Sequence, residues 1–210
     1  MNDRTEEEQV EAIKAWFKEN GIAIITGLVI GVALIGGYRY WTHTQDTKAK
    51  QASVLYNEIN QALTSSQPDK ILEQGKKLVT EFPDTAYATL ATLAMAKVYV
   101  EQDKLDAAVE QLNQVINKAS DTSMQHLARV RLARVMLAQN KAKDVLTLTA
   151  GQTSTAFAAA YAEVRGDAFL MVQQSTEAMA AYKEALANSN LQADQRQLIQ
   201  MKLNNIVIAK

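Results

Sequence analysis

Residues 165–186, RGDAFLMVQQSTEAMAAYKEAL, decide the fold. Small Gly166 is followed one turn later by Phe169, and after a polar break Ala178 and Tyr182 recur at helical spacing. The stretch therefore predicts two amphipathic helices, A and B, that meet where helix A carries a small residue.

The same pattern occurs twice upstream. Ala96 and Ala133 take the place of Gly166, so the three small residues are 37 and 33 residues apart. This period, with a large apolar residue one turn after the small one, is typical of tetratricopeptide repeats. The match is degenerate, because the consensus Trp is absent and other residues stand where a turn glycine is usual: Asp103, Asn140 and Gln173.

The remaining sequence extends this pattern in both directions. Residues 70–88, KILEQGKKLVTEFPDTAYA, indicate an upstream unit whose first helix, around residues 55–63, is weakly patterned. Residues 191–210 predict a closing helix that uses Leu198, Met201 and Ile206, as a solenoid requires at its end. Strand periodicity and hairpin dipeptides are missing from the sequence. We therefore predict an all-α fold, in which one N-terminal transmembrane helix precedes a tetratricopeptide-like α-solenoid of about three to four helix pairs with a C-terminal capping helix.

The transmembrane helix is predicted from residues 21–38, GIAIITGLVIGVALIGGY, which carry no charge and five of the eight glycines. Eighteen residues give roughly 27 Å of helix, close to the thickness of the hydrocarbon core, and Tyr40 and Trp41 follow where an aromatic belt would lie. A cleaved signal peptide and a buried core helix are the alternatives. The span is longer than a usual signal core, it follows six acids and three bases, and no Ala-x-Ala site follows it.

These observations divide the chain into an amphipathic tail (residues 1–20), a membrane anchor (21–41) and a repeat domain (42–210). In the tail, Val10, Ile13 and Phe17 are at helical spacing beside Trp16, which predicts a short helix on the membrane surface before the chain turns into the bilayer. The alternative is a frayed polar tail. Basic residues do not orient the anchor, because three lie on each side: Arg4, Lys14 and Lys18 before it, and Arg39, Lys48 and Lys50 after it.

Within the anchor, Ala23, Gly27 and Gly31 recur every four residues. A stripe of small residues allows a second helix to approach closely, so we predict a membrane helix-packing surface here. The alternative is an ordinary surface that faces lipid.

Composition excludes most catalytic and nucleic-acid-binding classes. The chain has no Cys and only two histidines, His43 and His126, which removes thiolate chemistry and multi-histidine metal centres. Catalytic and phosphate-binding motifs are missing from the sequence as well. From residue 42 onward eighteen bases balance seventeen acids, without the basic footprint of a nucleic-acid-binding protein. We therefore expect no enzyme activity, no cofactor, no metal and no small-molecule substrate, and we interpret His126 as a partly exposed polar residue.

The order of parts resembles a known family. The stretch VEAIKAWFKENG, an anchor ending in GYRYW, and the repeat segments RLARV and RGDA are similar to the YfgM family, the ancillary subunit of the bacterial SecYEG translocon. The resemblance covers nearly the whole chain. It implies a single-pass inner-membrane protein with a cytoplasmic N-terminus and a periplasmic repeat domain. It also implies association with SecYEG, with the periplasmic chaperone PpiD and with translocating polypeptides, and a cytoplasmic-side role in regulating an envelope-stress phosphorelay.

Helix A of each repeat offers a strip of residues at three- and four-residue spacing that would line the concave side of a solenoid. Such an apolar strip with a few charges suits polypeptide segments without strong sequence preference. The alternative is that these residues pack against neighbouring helices. The strip comprises Leu90, Leu93, Lys97, Val100, Leu127, Val130, Arg134, Leu137, Ala160, Glu163, Asp167 and Leu170.

Two functions remain open at this point. The first is a membrane-tethered interaction module at the translocon that hands translocated proteins to the periplasmic chaperones. The second is a tetratricopeptide-like scaffold of another envelope complex, in outer-membrane biogenesis, division or stress signalling, without contact with nascent chains.

Overall fold

The computed structural model describes residues 6–189 and 191–208, and this part of the chain is helical without a strand. The helices are α1 (Glu6–Thr64), α2 (Pro68–Glu81), α3 (Ala86–Glu101), α4 (Leu105–Lys118), α5 (Thr122–Ala138), α6 (Ala142–Thr149), α7 (Ala158–Met171), α8 (Ser175–Leu186) and α9 (Ala193–Ile208). A short 3₁₀ turn, Thr155–Phe157, precedes α7. The predicted all-α fold is confirmed.

The first of two compact units ends at Lys50 and contains the apolar part of α1. Within the described residues, α1 is the one helix long and apolar enough to cross a membrane. Its apolar side chains are exposed, with Ile22 at 83% and Leu34 at 68%, so the alternative of a buried core helix is wrong. The exposure fits a helix that lies in lipid.

The tail does not form a separate helix. α1 runs without a break from Glu6 through residues 20 and 41, so the turn expected between tail and anchor is absent in the described part of the chain. No Pro interrupts this segment, and a single Gly at residue 21 does not end a helix whose neighbours favour it. Trp16 and Phe17 lie edge to face on its surface, with ring centroids 5.4 Å apart.

The second unit begins at Gln51 and contains four helix pairs. The end of α1 pairs with α2, α3 with α4, α5 with α6, and α7 with α8. From α2 to α9 each helix packs on its neighbour in sequence, and the A helices also meet, α3 with α5 and α5 with α7. The upstream pair, weakly patterned in the sequence, is well packed, because Ile59 and Ala62 lie buried with Ile71 and Leu78 in one cluster.

The turn inside each pair has the same backbone geometry. Ser66, Asp103, Asn140 and Gln173 have φ values of 51°, 57°, 59° and 61°. After each of them, the next amide donates to the carbonyl five residues earlier, as Lys104 does to Tyr99 at 2.8 Å. This is the Schellman helix ending, which normally has glycine in the left-handed position. The repeat therefore keeps its turn conformation where its sequence departs from the consensus.

The small residues of the A helices allow the B helices to approach. Ala96 and Ala133 are buried, and at Gly166 a Cβ atom would lie 2.5 Å from Cε1 of Tyr182. The position equivalent to Gly166 in the first pair, 37 residues before Ala96, is Ile59. Helix B of that pair carries a small residue that faces the next pair, because a Cβ on Gly75 would come within 2.7 Å of Met95 on α3.

The capping helix α9 packs on α8, but through a different face from the one predicted. Ile206 is buried as expected, whereas Leu198 and Met201 are 45% and 50% exposed. Ile199 and Leu203 are buried in their place. Ile199, Leu203 and Ile206 are four and three residues apart, which is the spacing of one helix face, whereas Met201 and Ile206 are five apart, so the predicted set did not follow one face.

Arg196 anchors the start of α9. Its guanidinium donates to the carbonyl oxygens of Leu186 at 2.8 Å and Asn188 at 3.1 Å. Leu186 is the last residue of α8 and Asn188 lies just beyond it, where helix carbonyls lack intrahelical partners. The contact fixes the cap against the last repeat.

Candidate functional site

A first groove lies between α3 and α5. Its volume is about 300 Å³. Val100 is 42% exposed at its surface, whereas Leu93 belongs to the buried cluster beneath. The groove is lined by Leu93, Ala96, Lys97, Val100, Leu112, Arg131, Arg134 and Val135.

A second groove, of about 250 Å³, lies between α5 and α7. Arg134 lines both grooves, so the two adjoin along α5. Residues from the α8–α9 connection and the start of α9, Leu191 and Gln195 among them, complete its wall. Its lining from the predicted strip comprises Leu127, Val130, Arg134, Ala160 and Glu163.

A third groove, of about 350 Å³, lies where α7, α8 and α9 meet. Asp167 and Leu170 of the predicted strip line it, together with Tyr182 and Lys202. Leu90 and Leu137, also in the predicted strip, line none of these three grooves. Both are half-buried, and Leu137 packs against a buried cluster of α5, α6 and α7.

The strip thus serves two purposes. Leu93 and Val130 are buried in packed clusters, as the alternative interpretation expected. Val100, Lys97 and Arg134 are exposed at the grooves and remain accessible to another molecule. That these positions bind a partner stays a prediction.

Charged side chains connect the second and third grooves. Glu163 is only 9% exposed, and its two carboxylate oxygens accept from Arg134 at 3.2 Å and from Lys202 at 2.8 Å. Lys202 also donates to Asp167 at 2.8 Å, and the Tyr182 hydroxyl donates to the other oxygen of Asp167 at 2.6 Å. The network therefore joins four helices: α5, α7, α8 and α9.

The contacts of this network stabilise the protonated forms of Lys202 and Tyr182. Burial lowers the pKa of Lys202, but the hydrogen bonds to Asp167 and Glu163 outweigh it and leave the pKa above its usual value. Burial and the hydrogen bond to Asp167 raise the pKa of Tyr182 well above its ordinary range. At neutral pH Lys202 is therefore a cation and Tyr182 a neutral donor, which suits two carboxylates on one helix face.

Sequence reasoning missed Lys202 and the role of Tyr182 in this network. The signal was present, because Glu163 and Asp167 are one turn apart on a strip whose alternative interpretation was packing against neighbouring helices. Buried carboxylates need cationic or donor partners. The partner lies 35 and 39 residues further along the chain, beyond the reach of the repeat pattern.

His126 has a structural position between two repeats. It is half-buried, its Nδ1 lies 2.7 Å from the Tyr161 hydroxyl, and its ring stacks on Phe157 with centroids 5.6 Å apart. These contacts join α5 to the start of α7.

The small-residue stripe of the anchor has no neighbour in the described part of the chain. A Cβ placed on Gly27 or Gly31 would meet nothing within 4 Å. The stripe is open to lipid or to another helix, and the predicted helix packing at Ala23, Gly27 and Gly31 stays a prediction.

Comparison with known proteins decides the family. A tetratricopeptide repeat-like domain family matches residues 14–207. The ancillary SecYEG translocon subunit of Escherichia coli is 34% identical over 203 residues, which cover 97% of each chain. The chain belongs to the YfgM family.

Two further YfgM relatives have the same name. The ancillary SecYEG translocon subunit of Aggregatibacter actinomycetemcomitans is 32% identical and covers 96% of this chain and 97% of its own. That of Haemophilus influenzae is 37% identical over 108 residues, about half of each chain. The name of these relatives, ancillary subunit, and the tetratricopeptide repeat-like domain point to a non-catalytic role for the YfgM family. Among the residues described here, no group of three His, Asp or Glu side chains could hold a metal ion.

Proposed function

We propose that this protein is a non-enzymatic, single-pass inner-membrane subunit that associates with the SecYEG translocon. Family membership and the names of the relatives support the association. The long apolar helix with exposed side chains supports the membrane anchor. The N-terminus lies in the cytoplasm and the repeat domain in the periplasm.

The first and second grooves receive segments of translocating polypeptides, and the repeat domain passes them to the periplasmic chaperones through PpiD. The observation that carries this proposal is the pair of adjoining grooves on the A helices, where apolar side chains stay accessible beside charged ones. Such surfaces fit extended or helical segments without a fixed sequence.

Site-specific photocrosslinking in cells tests this proposal. A photoreactive residue at Val100 or Leu127 is expected to capture a translocation-arrested polypeptide, PpiD or translocon subunits. The control position is Val54, which is also exposed but lies on α1 away from both grooves. If both groove positions captured only another envelope assembly, the proposal would be wrong and the protein would serve as a scaffold of that assembly.

Orientation is tested separately, with a reporter fused after Lys210. Activity of a periplasmic reporter is expected. A cytoplasmic C-terminus would contradict contact between the grooves and polypeptides that have crossed the membrane.

The N-terminal part of α1 is assigned the contact with the envelope-stress phosphorelay. Val10, Ile13, Trp16 and Phe17 are exposed there and form an apolar surface next to the anchor. Replacing Trp16 and Phe17 by Ala is expected to change a stress-reporter signal while SecYEG copurification persists. An unchanged signal would remove this role.

A further inference from the structure

The first groove differs from the second in its charge. Of the residues that the structure describes, three cations line it, Lys97, Arg131 and Arg134, and no acidic side chain does. The second groove contains Arg134 together with the Glu163 carboxylate that neutralises it. The first groove is therefore the more cationic of the two.

One cation of the first groove, Arg131, has no side-chain partner in the described part of the chain. Lys97 pairs with Glu101 at 3.6 Å, and Arg134 pairs with Glu163 at 3.2 Å. Arg131 makes no ion pair or hydrogen bond with its side chain within residues 6–189 and 191–208. Desolvation and the neighbouring Arg134 charge lower the pKa of Arg131, as expected for two guanidinium groups that repel each other. An anion between them would relieve this repulsion.

The same groove offers an apolar surface below these cations. Leu93, Leu112 and Val135 belong to one buried cluster, and Val100 extends the surface toward solvent. A volume of about 300 Å³ is at the small end of ligand sites, so the groove suits one or two side chains rather than a long ligand.

We propose that the first groove selects polypeptide segments in which a bulky apolar side chain is flanked by carboxylates. The inference rests on the proposed function, polypeptide binding, and adds a sequence preference to it. The apolar side chain packs on Val100, and a flanking carboxylate accepts two hydrogen bonds from Arg131. Acidic side chains within the segment supply the charge, not the carboxyl end of a chain.

Peptide binding to the full-length protein in nanodiscs of zwitterionic lipid tests the preference. Fluorescence anisotropy compares three labelled peptides of equal length with blocked ends: Leu flanked by Glu, Leu flanked by Lys, and Ser flanked by Glu. We expect the first to bind about tenfold more tightly than either of the others, and the difference to shrink as salt is added. Equal binding of the Glu- and Lys-flanked peptides would overturn the proposal.

Variants locate the site. Arg131→Gln is expected to remove most of the tenfold preference, and Arg131→Lys to keep part of it, because Lys retains the charge but not the planar fork. Val100→Ser is expected to weaken binding of the Leu peptides.

Two variants outside the groove are the matched controls. Lys77→Gln removes a cation on α2, and Val54→Ser changes an exposed valine on α1. Both are expected to bind the peptides as the unaltered chain does. An unchanged preference in Arg131→Gln would place the selectivity elsewhere and overturn the assignment.

Three further outcomes separate this inference from related ones. If laurate displaces the Glu-flanked peptide and binds more tightly than it, the groove is a site for acyl anions and the proposal fails. If photocrosslinks from Val100 to translocating polypeptides persist while the peptides show no preference, the inference fails and the proposed function stands. If neither groove captures polypeptides in cells, the proposed function fails, whatever the peptides show.

Discussion

Gly166 is the residue at which the last helix pair is packed most closely. A Cβ there would lie 2.5 Å from the ring of Tyr182, which is fully buried and held by its hydrogen bond to Asp167. We expect Gly166→Ala to lower the free energy of unfolding by about 1–2 kcal/mol, since overpacking outweighs the gain in helix propensity. Urea unfolding of the detergent-solubilised chain measures it. Gly75→Ala is the control, because the flexible side chain of Met95 can move away, and a larger loss there would contradict the argument.

For the turn residues in the left-handed conformation, we predict a substitution that raises the free energy of unfolding. Gln173 has a φ of 61°, where a side chain costs about 1–2 kcal/mol that glycine avoids. Glycine also makes the unfolded chain more flexible, and this entropy offsets part of the stabilisation. We therefore expect Gln173→Gly to raise the free energy of unfolding by about 0.5–1 kcal/mol. Asn140→Gly is expected to gain less, because Asn tolerates this conformation. Equal or reversed effects in urea unfolding would show that these turns are not strained.

At the scale of the helix, α9 is held by one lysine as much as by its apolar face. Replacing Lys202 by Met leaves the buried Glu163 with one partner and Asp167 without its cation. We expect the free energy of unfolding to fall by about 1–3 kcal/mol. Lys183→Met, an exposed lysine on α8, is the control and is expected to change it by less than about 0.5 kcal/mol. Equal effects of the two variants would mean that the network does not hold the helix.

The same network predicts how stability depends on pH. The pKa values of Tyr182 and Lys202 are both raised in the folded chain, so above about pH 10 the folded state binds more protons than the unfolded state. The stabilisation is present below the unfolded-state pKa values and is lost as pH rises beyond them. We expect the free energy of unfolding to decline above about pH 10, and less steeply in Tyr182→Phe. An unchanged slope in that variant would contradict the contribution of Tyr182.

The helices also show what the sequence could predict. The spacing of Ala96, Ala133 and Gly166 located the repeats, because each repeat contacts mainly its neighbours and its pattern is local. The buried face of α9 was predicted only in part, since Ile206 is buried but Leu198 and Met201 lie on an exposed apolar stripe beside it. The ion pairs of Lys202 could not be predicted from the local repeat pattern, because its partners Glu163 and Asp167 lie two helices earlier in the chain.

At the scale of the whole molecule, the anchor and the repeat domain carry separate contacts. The grooves depend on side chains of α3, α5 and α7, whereas the anchor presents small residues with nothing near them. A membrane partner that packs on Ala23, Gly27 and Gly31 would hold the protein at the translocon independently of any bound polypeptide.

Replacing both Gly27 and Gly31 by Leu tests this separation. The larger side chains block close helix approach, so we expect SecYEG copurification from mild detergent to fall severalfold. Gly36→Leu with Gly37→Leu is the matched control, because it adds the same two side chains to the same helix away from the stripe. Peptide binding at the first groove is expected to be unchanged in both double variants, since no groove residue is altered. Equal copurification of the two double variants would show that the stripe faces lipid and that the protein is held at the translocon through other contacts.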